Sequence, residues 1–492
     1  MILVLLGCGS GALPPDIAAP ASPEPAAGPV VVLAGGGSEG EVDDPKAWSA
    51  LLYPSLWRAG DVNGDGLVRV VILSVADESD WLPGYFVALG AGEAENLRVA
   101  TRERAEADET AEVIRSADAL FIKGGDQGEY YDRYRGTALS DAVAQLVAVG
   151  GGVGGTSAGA MSLGGWVLAG GMDLTTTDVL EDACTPYLED QSDGGSGLHD
   201  DFLGLIPEVL VDTHFTQRAR LGRLAGALAR LEDEAGASVL GVGIEEETGL
   251  IVQEVDGDLV ATVVGVGAVS FLAGGDHPPV RVPGEPLRWV GLNHDRLTDG
   301  WAFNLNTREV IPAPDAEEVS PTLSAGPVPE GWDASGDLAG HEERFSWVVE
   351  RDPLPYRLRP GRGASPLPDS VAILDAFDED RRAAGEEALF RALYDQPGVA
   401  AFAVARGARL RGLSAERIGL EANDAVSDAP AATIIHDSSA VSARGLSPSV
   451  SLSDPGDGGL HAAALVGLRM HVLYTPADGV AWHQTARTPA GP

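Results

Sequence analysis

Apolar residues along this chain come in short runs that end at glycine. Val30-Val31-Val32-Leu33-Ala34 leads into Gly35-Gly36-Gly37, Val68 to Val75 is a second run, and Ala119-Leu120-Phe121-Ile122 stops just before Gly124-Gly125. Runs that are apolar almost throughout predict strands buried on both faces. Asn96 to Ala100 reads as a further, weaker strand, and the spacing predicts helices over Thr110 to Ser116 and Gly136 to Val149. Val153 then leads into Gly154-Gly155-Thr156-Ser157, with a helix predicted from Ala158. Strand and helix alternate, which predicts an α/β fold: a mostly parallel sheet with helices on both faces. In such sheets functional loops follow the carboxyl ends of strands, so the glycine-rich loops are expected at one edge.

Further on the pattern loosens. Asp173 to Gly204 is polar and acidic and reads as a surface insertion or lid. Arg218 to Glu234 has helical spacing, and Val239 to Gly243 is a strand that ends at Ile244-Glu245-Glu246-Glu247. Leu250 to Val255 and Leu259 to Leu272 read as antiparallel strands that close a domain over 29–285. Residues 286–339 form an extension and linker, and Pro312 to Asp337 is rich in Pro, Gly, Ser and acid. Residues 340–492 read as a small C-terminal accessory domain with strand patterns at Val371 to Leu374, Val399 to Ala405 and Leu465 to Leu473.

Residues 1–28 form a segment of another kind. Met1 to Gly7 is apolar, and Leu5-Leu6-Gly7-Cys8 resembles the lipobox of a bacterial lipoprotein, although no basic residue precedes it. On this reading Cys8 carries lipid, Gly11 to Gly28 is an Ala- and Pro-rich tether, and the protein is exported and membrane-anchored. The other cysteine, Cys184, is then unpaired.

Asp and Glu number 74 against 33 Lys and Arg, a formal charge of −41. Such a surface repels nucleic acid and anionic lipid, so neither is expected as a partner. Asp61-Val62-Asn63-Gly64-Asp65-Gly66 begins like a calcium loop, but the twelfth position is Ile72 where a carboxylate is needed. A polar turn is the better reading.

Gly155-Thr156-Ser157-Ala158-Gly159 fits G-x-S-x-G, in which a sharp strand-to-helix turn exposes a nucleophilic serine between small neighbours. The N–H of Ala158, at the helix start, is then available to an oxyanion. A serine nucleophile needs a base. Among nine histidines, His214 follows the apolar run Val209-Leu210-Val211 and so falls at a strand end. Glu245, Glu246 and Glu247 follow another strand and are all candidates for the orienting acid. The order Ser, His, acid differs from that of α/β-hydrolases, which run Ser, acid, His.

Taken together, Gly124-Gly125-Asp126-Gln127, Gly155 to Ala160, Asp212-Thr213-His214-Phe215-Thr216-Gln217-Arg218 through Leu224, and Gly243 to Thr248 resemble the cyanophycinase and aspartyl dipeptidase family of serine peptidases. The resemblance spans about residues 29 to 275. It implies a flavodoxin-like or glutamine-amidotransferase-like fold and a triad of Ser157, His214 and Glu246, with Glu245 as the neighbour most easily mistaken for the acid. It further implies an oxyanion N–H at Gly125 beside that of Ala158, and substrate contacts from Asp126, Gln127, Asp212, Arg218, Arg220 and Arg223. The arginines would grip substrate carboxylates, since a guanidinium fork matches a carboxylate; the competing reading pairs them with local acids. The implied substrate is an aspartyl or β-aspartyl peptide with free carboxylates. The chemistry requires no metal or organic cofactor, and the chain is compatible with a homodimer. Two departures stand out: Thr213 occupies a position where cyanophycinases usually have Gln, and Met161 to Asp190 matches poorly. A silent binding protein on the same scaffold, or an esterase or amidase with the same triad, are the rival readings.

Overall fold

A computed structural model describes residues 29–319, apart from 77–79, 171–173, 190–196, 237, 276 and 315, together with strands between Val348 and Gln484. Cys8, the tether, most of the linker and most of residues 340–492 lie outside the described residues.

The chain begins with β1 (Val31–Ala34), α1 (Trp48–Leu52) and a 3-10 turn (Tyr53–Trp57). There follow β2 (Arg69–Ser74), α2 (Trp81–Ala88), β3 (Glu93–Arg98), α3 (Arg102–Ala105), α4 (Asp108–Arg115) and β4 (Ala119–Ile122). Next are α5 (Gln127–Tyr134), α6 (Ala138–Ala148), β5 (Gly152–Thr156), α7 (Ala158–Met161), β6 (Gly164–Leu168), α8 (Thr176–Glu181) and α9 (Pro186–Glu189). The second half holds β7 (Leu198–His199), β8 (Ile206–Thr213), α10 (Leu221–Ala235), β9 (Leu240–Ile244), β10 (Thr248–Val255), β11 (Asp258–Gly265) and β12 (Ala268–Ala273). It closes with β13 (Trp289–Thr298), β14 (Ala302–Asn304) and β15 (Glu309–Ile311).

The fold is α/β, and its strands divide between two sheets. The first has the order β15-β14-β11-β10-β1-β5-β4-β2-β3, parallel from β1 outward to β3 and antiparallel on the other side. The second contains β13-β12-β9-β8-β6-β7, with β6, β8 and β9 parallel. The chain leaves the first sheet after β5, returns between β9 and β10, and crosses again between β11 and β12. The strand expected over Leu259 to Leu272 is therefore broken at Val266-Gly267, and its halves serve different sheets.

Central strands are covered on both faces, as their apolar runs require. On one face, Trp48, Leu52, Tyr53, Leu56 and Phe86 pack on Val32, Ile72 and Phe121. These first helices escape sequence reading. α1 has five residues, too few to show a period, and α2 (WLPGYFVA) is apolar on nearly every side. On the other face, Leu33, Leu73, Leu120 and Ile122 meet Ile114, Leu139 and Val143 of α4 and α6, and Val211, Val242 and Phe271 of the second sheet. The far face of the second sheet is covered by Leu221, Leu224 and Leu228 of α10.

Strands β13 to β15 lie past residue 285 and add to both sheets. The strand Ala464–Thr475 pairs antiparallel with β13, from Trp289 opposite Val472 to Arg296 opposite Leu465. Its Leu465, Leu468, Met470 and Val472 are buried in one core with Trp289 and Leu292. Beyond it, Ala431–Asp437, Ala400–Val404 and Ser370–Leu374 continue the same sheet. The Asp61 loop is a turn whose acids serve the backbone. Asp61 accepts from the N–H groups of Gly64 and Gly66, and Asp65 from Leu67.

Truncating Met470 to alanine is expected to cost about 2–5 kcal/mol, the usual range for a fully buried large side chain. Denaturant unfolding measures it, and a change near zero would place this strand outside the cooperative core.

Candidate active site

Ser157 stands between β5 and α7 with φ 54° and ψ −123°, a conformation that costs a non-glycine residue roughly 1–3 kcal/mol. The turn holds because its surroundings fix it. The Ser157 N–H donates to the Ala34 carbonyl at 2.9 Å. A Cβ on Gly159 would lie 2.1 Å from the Ile122 carbonyl oxygen, and one on Gly155 2.6 Å from the Gly159 carbonyl carbon. The glycines of the pentapeptide are thus required by close backbone approach.

His214 follows β8, and its ring bridges two oxygens. Nε2 lies 2.8 Å from Ser157 Oγ and Nδ1 lies 2.7 Å from Glu246 Oε1. His214 is nearly buried, while Ser157 and Glu246 are half-buried, so the chain of three opens to solvent at its ends. Glu245 turns the other way. It is buried and accepts from Thr216 Oγ1, from the Ala268 N–H and from Arg296, whose guanidinium is 2.6 Å away. Direction separates Glu245 from Glu246, because successive side chains at a strand end point to opposite sides. Glu247 has φ 55° and lies beside Gly37. Burial, and then the Glu246 charge, raise its pKa.

The loop after β1 underlies all of this. The His214 N–H donates to the Gly35 carbonyl at 2.9 Å and the Glu247 N–H to the Gly36 carbonyl at 2.8 Å. A Cβ on Gly36, at φ 99°, would sit 2.3 Å from His214 Cε1. Gln217 adds a further tie, its Oε1 accepting from the Glu246 N–H at 3.1 Å.

On the opposite side of Ser157 runs the loop after β4. A Cβ on Gly124 would stand 3.3 Å from Ser157 Cβ. The Tyr130 hydroxyl donates to the Lys123 carbonyl at 2.8 Å, pinning this loop, and burial raises the Tyr130 pKa so that the phenol stays protonated. Gly125, next in the chain, is exposed, and Ala158 opens α7, where the first N–H groups lack helical partners.

Several residues expected to touch substrate make internal contacts. Gln127 is buried and its amide donates to the Leu168 carbonyl, tying α5 to β6. Asp126 caps α5 by accepting from the Gly128 N–H. Asp212, Arg220 and Arg223 form a buried ion cluster: Arg223 Nε lies 2.9 Å from Asp212 Oδ2 and Arg220 3.2 Å from Asp212 Oδ1. Burial would raise the Asp212 pKa, but Arg223 and Arg220 outweigh it and hold the carboxyl below its usual range. Burial pulls Arg220 down, with Asp212 opposing the fall. Arg220 and Arg223, expected to grip substrate, both pair with the internal acid Asp212, as the competing reading of local pairing expects. Arg218 is the exposed member of the set. Thr213 is fully buried, its carbonyl accepting from Arg220.

The model of "Peptidase family S51" matches residues 83–260, a span that includes Ser157, His214 and Glu246. A cyanophycinase of Trichormus variabilis is 34% identical over 233 residues, covering 46% of this chain and 70% of that protein. The chain belongs to peptidase family S51. It is a serine-type peptidase. Another S51 relative, a cyanophycinase of Geminocystis herdmanii, is 30% identical over 288 residues, covering 56% of this chain and 94% of its own. Among solved structures, a peptidase from an acI-B1 Actinobacterium aligns with 56% of this chain and 96% of its own at 21% identity and a TM-score of 0.36.

Within this S51 chain, sequence reading missed Gly36, Gln217 and Arg296. Gly35-Gly36-Gly37 was visible as a loop, but not as the floor beneath His214. Gly36→Ala is expected to displace the imidazole by about 1 Å and to lower turnover roughly 10²-fold. The rate at which a fluorophosphonate labels Ser157 measures this, and an unchanged rate would refute the cradle. Asp212→Asn is expected to cost about 3–5 kcal/mol at neutral pH, because two buried guanidinium groups lose their counter-charge. Since the native Asp212 pKa is lowered, its contribution is complete above about pH 3.9 and fades as pH falls through the native value. The gap between wild type and variant should therefore narrow in acid, as thermal melts across pH would reveal.

Proposed function

We propose that this chain hydrolyses aspartyl or β-aspartyl peptides through an acyl-enzyme, with Ser157 as nucleophile, His214 as base and Glu246 as orienting acid. The observation that carries the reading is the unbroken hydrogen-bonded chain Ser157 Oγ–His214 Nε2 and His214 Nδ1–Glu246 Oε1, at 2.8 and 2.7 Å. His214 takes the Ser157 proton as Oγ attacks the peptide carbonyl carbon. The tetrahedral oxyanion receives hydrogen bonds from the N–H groups of Ala158 and Gly125. The C–N bond then breaks, and His214 returns the proton to the leaving amine. Water, deprotonated by the same imidazole, adds to the ester and releases the acid and Ser157. Glu246 keeps the imidazole in the productive tautomer and stabilises its protonated form.

The aspartyl preference rests on two supports. The relatives with the greatest identity given above are cyanophycinases. Arg218 lies four residues from His214, exposed, in a protein with a formal charge of −41, and is suited to hold a substrate carboxylate at the mouth of the site.

Ser157→Ala should lower turnover of β-aspartyl-arginine polymer or of aspartyl dipeptides by about 10⁴-fold or more, with an unchanged melting profile. Arg218→Ala should raise KM for substrates with a free carboxylate and leave amidated analogues unaffected. Absence of turnover together with absence of fluorophosphonate labelling would overturn the reading in favour of a silent scaffold. Labelling with turnover of simple esters alone would turn it toward an esterase.

A further inference from the structure

We infer that the Glu245–Arg296 pair is a positioning device for the triad, an inference that rests on reading Ser157, His214 and Glu246 as that triad. Glu245 adjoins Glu246, and its carboxylate fastens three separate elements. Oε1 accepts from Thr216 Oγ1 at 2.7 Å, two residues past His214, and from Arg296 at 2.6 Å on β13. Oε2 accepts from the Ala268 N–H at 3.0 Å, at the start of β12. One buried carboxylate therefore links the loop carrying His214 to the loop carrying Glu246 and anchors both to the second sheet.

Both partners are almost sealed from solvent, with side chains 5% and 7% exposed. A charge so placed is held to its counter-charge, because an unpaired buried ion is strongly unfavourable. Loss of Arg296 would drive Glu245 toward water and rotate the strand end that aims Glu246 at His214. The surroundings of the pair are closely packed. A Cβ on Gly267 would lie 2.7 Å from Glu245 Oε2, and Thr248 Oγ1 donates to the Glu246 carbonyl at 3.0 Å while accepting from the Gly267 N–H at 2.8 Å. Arg296 lies outside the 83–260 match, and it faces Leu465 across the pairing of β13 with Ala464–Thr475. The aim of the catalytic acid thus depends on a residue beyond the family match, on a strand that the C-terminal part of the chain completes.

The test uses the full chain and a fluorophosphonate ester as probe, read beside the low-field proton resonance of the His214–Glu246 hydrogen bond. Arg296→Met is expected to slow labelling of Ser157 at least about tenfold and to abolish or shift that resonance, with far-ultraviolet dichroism retained. Arg296→Lys, which restores the charge, should recover most of both signals. Should Arg296→Met not fold, Glu245→Gln keeps the side-chain shape, removes the charge, and is read the same way. Wild-type labelling and resonance in a folded Arg296→Met or Glu245→Gln protein would overturn the inference. A wild-type protein that is not labelled at all would instead refute the triad on which it stands.

Discussion

The loop after β1 approaches its neighbours more closely than any side chain would allow, and the active site is organised around that contact. Gly35 would place a Cβ 1.9 Å from the Glu245 carbonyl oxygen, while the Gly35 and Gly36 carbonyls accept the N–H groups of His214 and Glu247. The loops bearing His214 and Glu246 are therefore both bound to one piece of backbone. The short His214–Glu246 hydrogen bond is set by this shared floor as much as by the two side chains. In the proposed mechanism, preorganisation of this kind removes the reorientation that would otherwise accompany each proton transfer.

The three residues proposed as the triad meet across the junction of two sheets. Ser157 follows a strand of the first sheet, His214 follows a strand of the second, and Glu246 lies where the chain crosses back from β9 to β10. No one sheet holds the site by itself. Interdigitation of Leu33, Ile122, Val211 and Val242 at the shared core fixes how the sheets sit, and hence whether the three side chains meet. Backbone strain at Ser157, His214 and Glu247 is concentrated at this seam, where the surrounding packing is tight enough to sustain it.

Buried arginines do much of the remaining organisation. Arg223 and Arg220 enclose Asp212, Arg296 encloses Glu245, and Arg281 joins Glu189 to Asp233 near the α9 region. In a protein with so few cations for its acids, these guanidinium groups face inward, and Arg223 meets both oxygens of Asp212 with its planar fork. Arg218 differs in being exposed, while Arg220 and Arg223, in the same stretch of sequence, are buried against Asp212.

The sequence by itself determined the α/β class, the elbow at Ser157 and the histidine at the end of β8, because each is a local signal: an apolar run, small residues around a serine, a polar residue closing a strand. It also carried the family resemblance. It could not say which of three adjacent glutamates faces the histidine, since that depends on how the strand end is turned in the folded chain. Nor could it separate Arg218 from Arg220 and Arg223, whose helical spacing is alike whether they face a buried Asp212 or the solvent. The single strand expected over Leu259 to Leu272 became two, and β13 recruited a partner from Ala464–Thr475, because pairing between strands far apart in sequence leaves no periodic trace in either. Burial on both sides of the seam, which only the tertiary structure supplies, decided which charges are paired inside and which are left facing solvent.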